Sequence, residues 1–155
     1  MKSNRNRSKE PKDTVRFWTY DEVRKASPYI ASVLRSIREH QLEGQAHGRR
    51  AHRLAARPGR PSRTEIIAQA EEVRRAAEAR DRLGEAVDEL HSLDVFCTDP
   101  LRGEAIIPFV HDEKPAWFAF DLFAEETPLS WRYHDDPEET HRPIAEALLV
   151  HGAVV

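Results

Sequence analysis

Between positions 134 and 141 the chain gathers two imidazoles and four carboxylates: His134, Asp135, Asp136, Glu138, Glu139 and His141. Imidazole and carboxylate donors suit Zn, Fe or Mn, and a loop leaving a strand can keep one coordination position open for water. A divalent metal held by His134, Asp136 and His141 would make the protein a hydrolase acting through metal-bound water. The spacing matches no established metal motif, and acidic loops carrying His are common on solvated surfaces. The plainer expectation is a surface loop with no cofactor. His111-Asp112-Glu113 repeats the composition in what reads as a hairpin turn.

A second cluster is basic. Arg49, Arg50, Arg53, Arg57, Arg60 and Arg63 place six guanidinium groups within fifteen residues without an intervening acid. Guanidinium forks onto phosphate or carboxylate, so this stretch is the candidate for docking an anion, a nucleic acid or an acidic partner. Gly59-Arg60-Pro61 is similar to part of the minor-groove AT-hook core, but Pro58 stands where that motif has Arg. With no aromatic residue among the arginines, the base stacking used by single-strand binders is missing. A solvated tip is the bland alternative.

His40 and His47, seven residues apart, prolong an apolar row that runs through Ile30, Val33 and Ile37. They are expected to face whatever that row packs against, as neutral histidines satisfied by a partner. Were that contact between molecules, protonation near pH 6 would loosen it. Cys97 is the only cysteine, which excludes an internal disulfide and reads as a small buried hydrophobe. The sequence contains no Gly-rich phosphate loop, nucleophile elbow or His-Glu helix motif, so no catalytic residue is assigned.

The elements that must position these groups follow from capping and periodicity. Thr19 and Glu22 form a capping box, opening a helix whose apolar positions Val23, Ala26, Ile30, Val33 and Ile37 recur in steps of three and four. Pro28 should bend this helix or shift its start, and Gly44 and Gly48 each cost about 1 kcal/mol relative to Ala, so its outer part should fray, kink or meet a closely approaching helix. Arg57-Pro58-Gly59-Arg60-Pro61 breaks the helix, and Ser62 with Glu65 opens a second, on which Ile66, Ala70, Val73, Ala77, Leu83, Val87 and Leu90 fall near one face. At 1.5 Å per residue the helices extend for about 55 and 45 Å, too long for the small remainder of the chain to cover. Their seam is expected to need a second chain.

From Asp94 the period changes to two. Short strands over 95–98 and 105–111 are followed by one alternating Trp117, Ala119 and Asp121 with Phe118, Phe120 and Leu122, and by another carrying Leu129, Trp131 and Tyr133. The expectation is an α+β fold, a long antiparallel helical hairpin packed on a small antiparallel sheet of three to four strands. Its parts are a disordered basic tail over 1–16, the hairpin over 17–92, and the sheet with a short C-terminal helix over 93–155, forming one domain with the hairpin.

Of the 155 residues 39% are apolar and 33% charged, which suits long solvated helices better than a compact globule. Residues 1–92 carry a net charge of +6 and residues 93–155 one of −9, which permits head-to-tail attraction between copies or docking on an acidic partner. No stretch approaches the roughly 20 apolar residues of a membrane span, and the polar N-terminus is no secretory signal, so a cytoplasmic location away from membranes is expected.

Thr19-Tyr20-Asp21-Glu22 with Pro28, Asp99-Pro100-Leu101-Arg102-Gly103 leading to Pro108, and Arg142-Pro143-Ile144 occur in an order that resembles the bacterial family catalogued as domain of unknown function 2203. Where family members tend to read Cys-Trp-Arg-Leu-Gly-Glu, this chain has Ala119-Phe120-Asp121-Leu122-Phe123-Ala124. The resemblance implies the hairpin-plus-strands layout and no particular activity. The functional expectation is therefore a self-associating or partner-binding module, a homo-oligomer or a protein docked through the hairpin, with nucleic-acid docking and metal-dependent hydrolysis as alternatives.

Overall fold

A computed structural model of the protein describes residues 15–125, 127–128 and 130–152, with side chains described as far as residue 148. The tail expected over 1–16 thus lies outside the described residues up to position 14. Helix α1 spans Tyr20–Ala55 and α2 Arg63–Ser92. Strands β1 Phe96–Asp99, β2 Glu104–His111, β3 Lys114–Asp121, β4 Ser130–Tyr133 and β5 Arg142–Pro143 follow, and α3 Ile144–Gly152 closes the chain. The strands form one antiparallel sheet in sequence order, five strands where three to four were expected, the extra one being the two-residue β5 paired to β4.

The caps form where the sequence placed them. Thr19 Oγ1 accepts the Glu22 amide at 3.2 Å while Glu22 Oε1 accepts the Thr19 amide at 3.1 Å, so α1 begins with two of its orphan donors satisfied. Ser62 Oγ accepts the Glu65 amide at the start of α2, and the Glu65 carboxylate lies 4.0 Å from Arg57 across the turn. Helix α1 continues through Pro28, Gly44 and Gly48. Asp94 ends α2 in the left-handed region at φ 58, where its carboxylate accepts the Arg16 amide at 3.0 Å. Asp112 and Glu113, both at positive φ, make the two-residue β2–β3 turn, the backbone geometry that matches strand twist. Gly103, at φ 65, admits no side chain, because a Cβ there would come within 2.7 Å of Leu122 Cβ.

One face of the sheet packs on the basal half of the hairpin. Phe109 stacks on Phe118 at 3.7 Å between ring centres, and Trp131 meets Phe109 edge-on. Against these rings lie Val23, Ile30, Val33, Leu34 and Ile37 of α1 with Leu90 of α2. Trp18 covers the end of this layer, its amide donating to the Pro108 carbonyl at 2.8 Å and its indole to Leu93 O at 3.1 Å. The segment thereby occupies the edge of β2 beyond the end of β1, at the Pro108 that marked an edge in the sequence.

Two expectations are corrected. Ile30, Val33 and Ile37 are 0, 5 and 0% exposed in the chain's own core, so this part of the seam is closed by the sheet and is no surface for a second copy. On α2 the buried residues are Ala76, Ala79, Ala86 and Leu90, whereas Ile66 and Val73 remain about half exposed and Ala70 and Ala77 face outward. The close approach of the helices explains the exchange. A Cβ added to Gly44 would sit 3.6 Å from Ala79 Cβ, a spacing that larger residues on α2 could not keep. The partner helix required by the small residues of α1 is α2 itself.

Candidate anion-binding groove

Beyond Ile37 the sheet no longer backs the hairpin, and the interior between the helices turns small and polar. His47 Nδ1 lies 2.5 Å from Glu72 Oε2, with only 13 and 16% of the two side chains exposed. His47 is thus satisfied within the chain. His40 is a quarter exposed, and its Nδ1 is buried without a hydrogen bond, 3.7 Å from Glu43 Oε2.

Along one side of this distal half runs a groove of about 570 Å³. Gly44, Gly48, Ala76 and Leu83 supply small or apolar lining; His40, His52, Arg49, Arg53 and Arg80 supply the charge or the capacity for it, beside Gln41 and Gln45. Arg49, His52, Arg53 and Arg80 are exposed, and no carboxylate is among the lining residues described. The arrangement follows from helix geometry. Gln41, Gln45, Arg49 and Arg53 stand four apart in one row of α1, and Gly44, Gly48 and His52 in the next. Arg80 reaches the groove from α2, so a ligand held by Arg49, Arg53 and Arg80 bridges both helices. Guanidinium groups around a floor of Gly44, Gly48 and Ala76 offer forked hydrogen bonds to carboxylate or phosphate oxygens.

Of the six arginines singled out by sequence, Arg49 and Arg53 line this groove, while Arg50, Arg57, Arg60 and Arg63 are exposed elsewhere on the tip. Sequence reasoning missed Arg80 and His52. The four-residue rows of α1 carried a signal for His52; Arg80, thirty-one positions beyond Arg49, carried none.

In the acidic histidine loop Asp136, His134 and His141 each engage a different neighbour. Asp136 accepts from Arg142 Nε at 2.8 Å, from Arg142 Nη2 at 3.1 Å and from the Tyr133 amide at 2.9 Å. The Arg142 guanidinium, with the Tyr133 amide, holds the Asp136 carboxyl below the usual carboxylate range. His134 stacks on Trp117 at 4.1 Å, and partial burial pushes its pKa below the ordinary imidazole value. His141 Nδ1 pairs with Ser130 Oγ at 3.1 Å. Among the described residues no three His, Cys, Asp or Glu side chains converge as a metal ion requires.

A second cleft, about 610 Å³, lies on the open face of the sheet. Glu104 and Asp121 stand directly opposite one another on β2 and β3 there, with Arg102, Arg132, Glu138 and His141 around them. Its charges are mixed, in contrast to the uniformly basic groove.

Fold and groove together define an α+β helical-hairpin protein with a basic distal cleft. No family model, curated protein or solved structure matches the chain. No helix among the described residues is long and apolar enough to cross a membrane.

Proposed function

We propose that the chain is a non-enzymatic docking module whose hairpin groove holds a carboxylate-rich segment of a protein partner. The observation that carries this reading is the convergence of Arg49, Arg53 and Arg80 from two helices on a small-residue floor that no lining carboxylate neutralises. Ile66 and Val73 support it. They stand two heptads and one heptad before Arg80 on the same flank of α2, outside the groove lining and half exposed, where a longer partner segment would find apolar contact. Nucleic acid fits less well, since no described lining residue is Phe, Tyr or Trp, the large rings on which single-strand binders chiefly stack bases.

A labelled oligoglutamate peptide tests the reading by fluorescence anisotropy at low salt. The wild type is expected to bind, Arg49→Gln with Arg53→Gln to weaken binding at least about tenfold, and added salt to weaken it further. Absence of binding, or equal binding by the variant, overturns the proposal. Tighter binding to a mixed-sequence oligonucleotide than to the peptide also overturns it, and makes the arginines a phosphate-docking surface.

A further inference from the structure

We infer that the segment taken by the groove is the acidic loop over 135–139 of a second copy, so that the protein assembles head to tail. This rests on the docking reading above and names its partner. The loop presents Asp135, Glu138 and Glu139 exposed, and none of them takes part in an ion pair among the described residues. It is also rigid. Asp136 ties it to Arg142, the Asp136 amide donates to Tyr133 O at 3.1 Å, and the Thr140 amide donates to Pro137 O at 3.0 Å. An acidic turn already fixed in shape loses little conformational freedom on docking.

Size and charge agree. Folded as a turn, the 135–139 loop is shorter than the roughly 14 Å that the same residues would reach fully extended, and the α1 wall of the groove from His40 to Arg53 rises about 20 Å. The groove belongs to the half of the sequence with net charge +6 and the loop to the half with −9. Because groove and loop are different surfaces, the contact is heterologous and leaves a free groove at one end and a free loop at the other, the geometry of a ring or an open chain.

Sedimentation equilibrium on the full chain, with two neutralised variants, decides it. Groove-neutral protein carries Arg49→Gln and Arg53→Gln; loop-neutral protein carries Glu138→Gln and Glu139→Gln, at exposed positions that leave the core untouched. Wild type should gain mass with concentration at roughly 0.05 M salt and return toward the 17.8 kDa monomer at roughly 0.5 M. Each variant alone should stay monomeric. Mixed in equal amounts they should form a dimer that grows no further, since one retains only a loop and the other only a groove.

Loop-neutral protein should also bind the oligoglutamate probe as wild type does. Wild type that binds the probe but stays monomeric overturns the head-to-tail contact and leaves the docking reading standing. Failure of both removes both. Association that persists in either variant alone also overturns the inference, and points to a symmetric contact such as the exposed Ile66 and Val73 flank.

Discussion

Gly44 and Gly48 in the distal hairpin should respond oppositely to bulk, because they face different surroundings. At Gly44 an added Cβ would meet Ala79 Cβ at 3.6 Å and the Ala76 carbonyl at 4.0 Å, ordinary contact distances. Gly44→Ala should therefore gain the helix-propensity difference, about 1 kcal/mol, and raise the melting temperature by about 2–4 °C for a chain of this size. Gly44→Val extends one further bond, about 1.5 Å, into a space already in contact, and should cost about 1–3 kcal/mol through overpacking. At Gly48 nothing lies within 4 Å, and the position lines the groove. Gly48→Leu should therefore leave stability unchanged or improved and abolish oligoglutamate binding by filling the floor. Calorimetric melting with the anisotropy titration reads all three variants. A Gly44→Ala protein destabilised by more than about 1 kcal/mol, or a neutral Gly44→Val, would refute the helix spacing on which the groove depends.

Other consequences concern the polar groups around the site. Removing one partner of the half-hidden His47–Glu72 pair, by His47→Ala or Glu72→Ala, should cost about 1–3 kcal/mol, while the double variant should cost less than the sum; additive losses in chemical denaturation would show that the pair is not coupled. The lowered Asp136 carboxyl contributes stability above the unfolded carboxylate value and loses it only as pH falls through the lower folded value. The Tyr133 amide resonance, whose proton Asp136 accepts, should accordingly titrate below about pH 3.9, and a midpoint above that refutes the Arg142 tether. Burial raises the Cys97 thiol, so its reaction with iodoacetamide at pH 8 should be slower than that of an unfolded control, and a faster rate would show an exposed thiolate.

Much of the architecture was legible because it is written locally. Thr19 with Glu22 and the Pro58-Gly59 break each act over a few residues, and the change of period at Asp94 needs only the sequence itself. The buried face of α2 was misread for a physical reason. Hydrophobicity favours Ile66 and Val73 over Ala76 and Ala79, yet a helix pair in contact at Gly44 selects for small volume, and the larger residues are displaced to the flank. The core position of Ile30 and Ile37 was legible, as was a sheet packed on the hairpin, but not how far along the seam that sheet reaches, since the cover comes from Phe109, Phe118 and Trp131 some 72 to 101 residues ahead. The groove divides in the same way. Arg49 and Arg53 could be picked out by type and spacing, but convergence with Arg80 exists only after the hairpin closes.

The hairpin is not uniform in stability, and this bears on how docking should be felt. Its basal half is held by aromatic rings and branched aliphatics, while the distal half is held by Gly44, Ala76, Ala79 and Ala51 and by the His47–Glu72 pair. Small residues bury little apolar area, and among the described lining residues of the groove no carboxylate bridges Arg49 or Arg53 to Arg80. The distal half should therefore open locally at lower free energy than the base. An anionic segment bound to Arg49 and Arg53 on α1 and to Arg80 on α2 ties the two helices together. At a ligand concentration one hundred times the dissociation constant the gain is about 2.7 kcal/mol, equivalent to roughly hundredfold slower hydrogen exchange. That protection should fall on amides over 44–53 and 76–83 and spare those at 30–37, whose opening already approaches global unfolding. Uniform protection along both helices, or none in the distal half, would show that the bound anion does not bridge them.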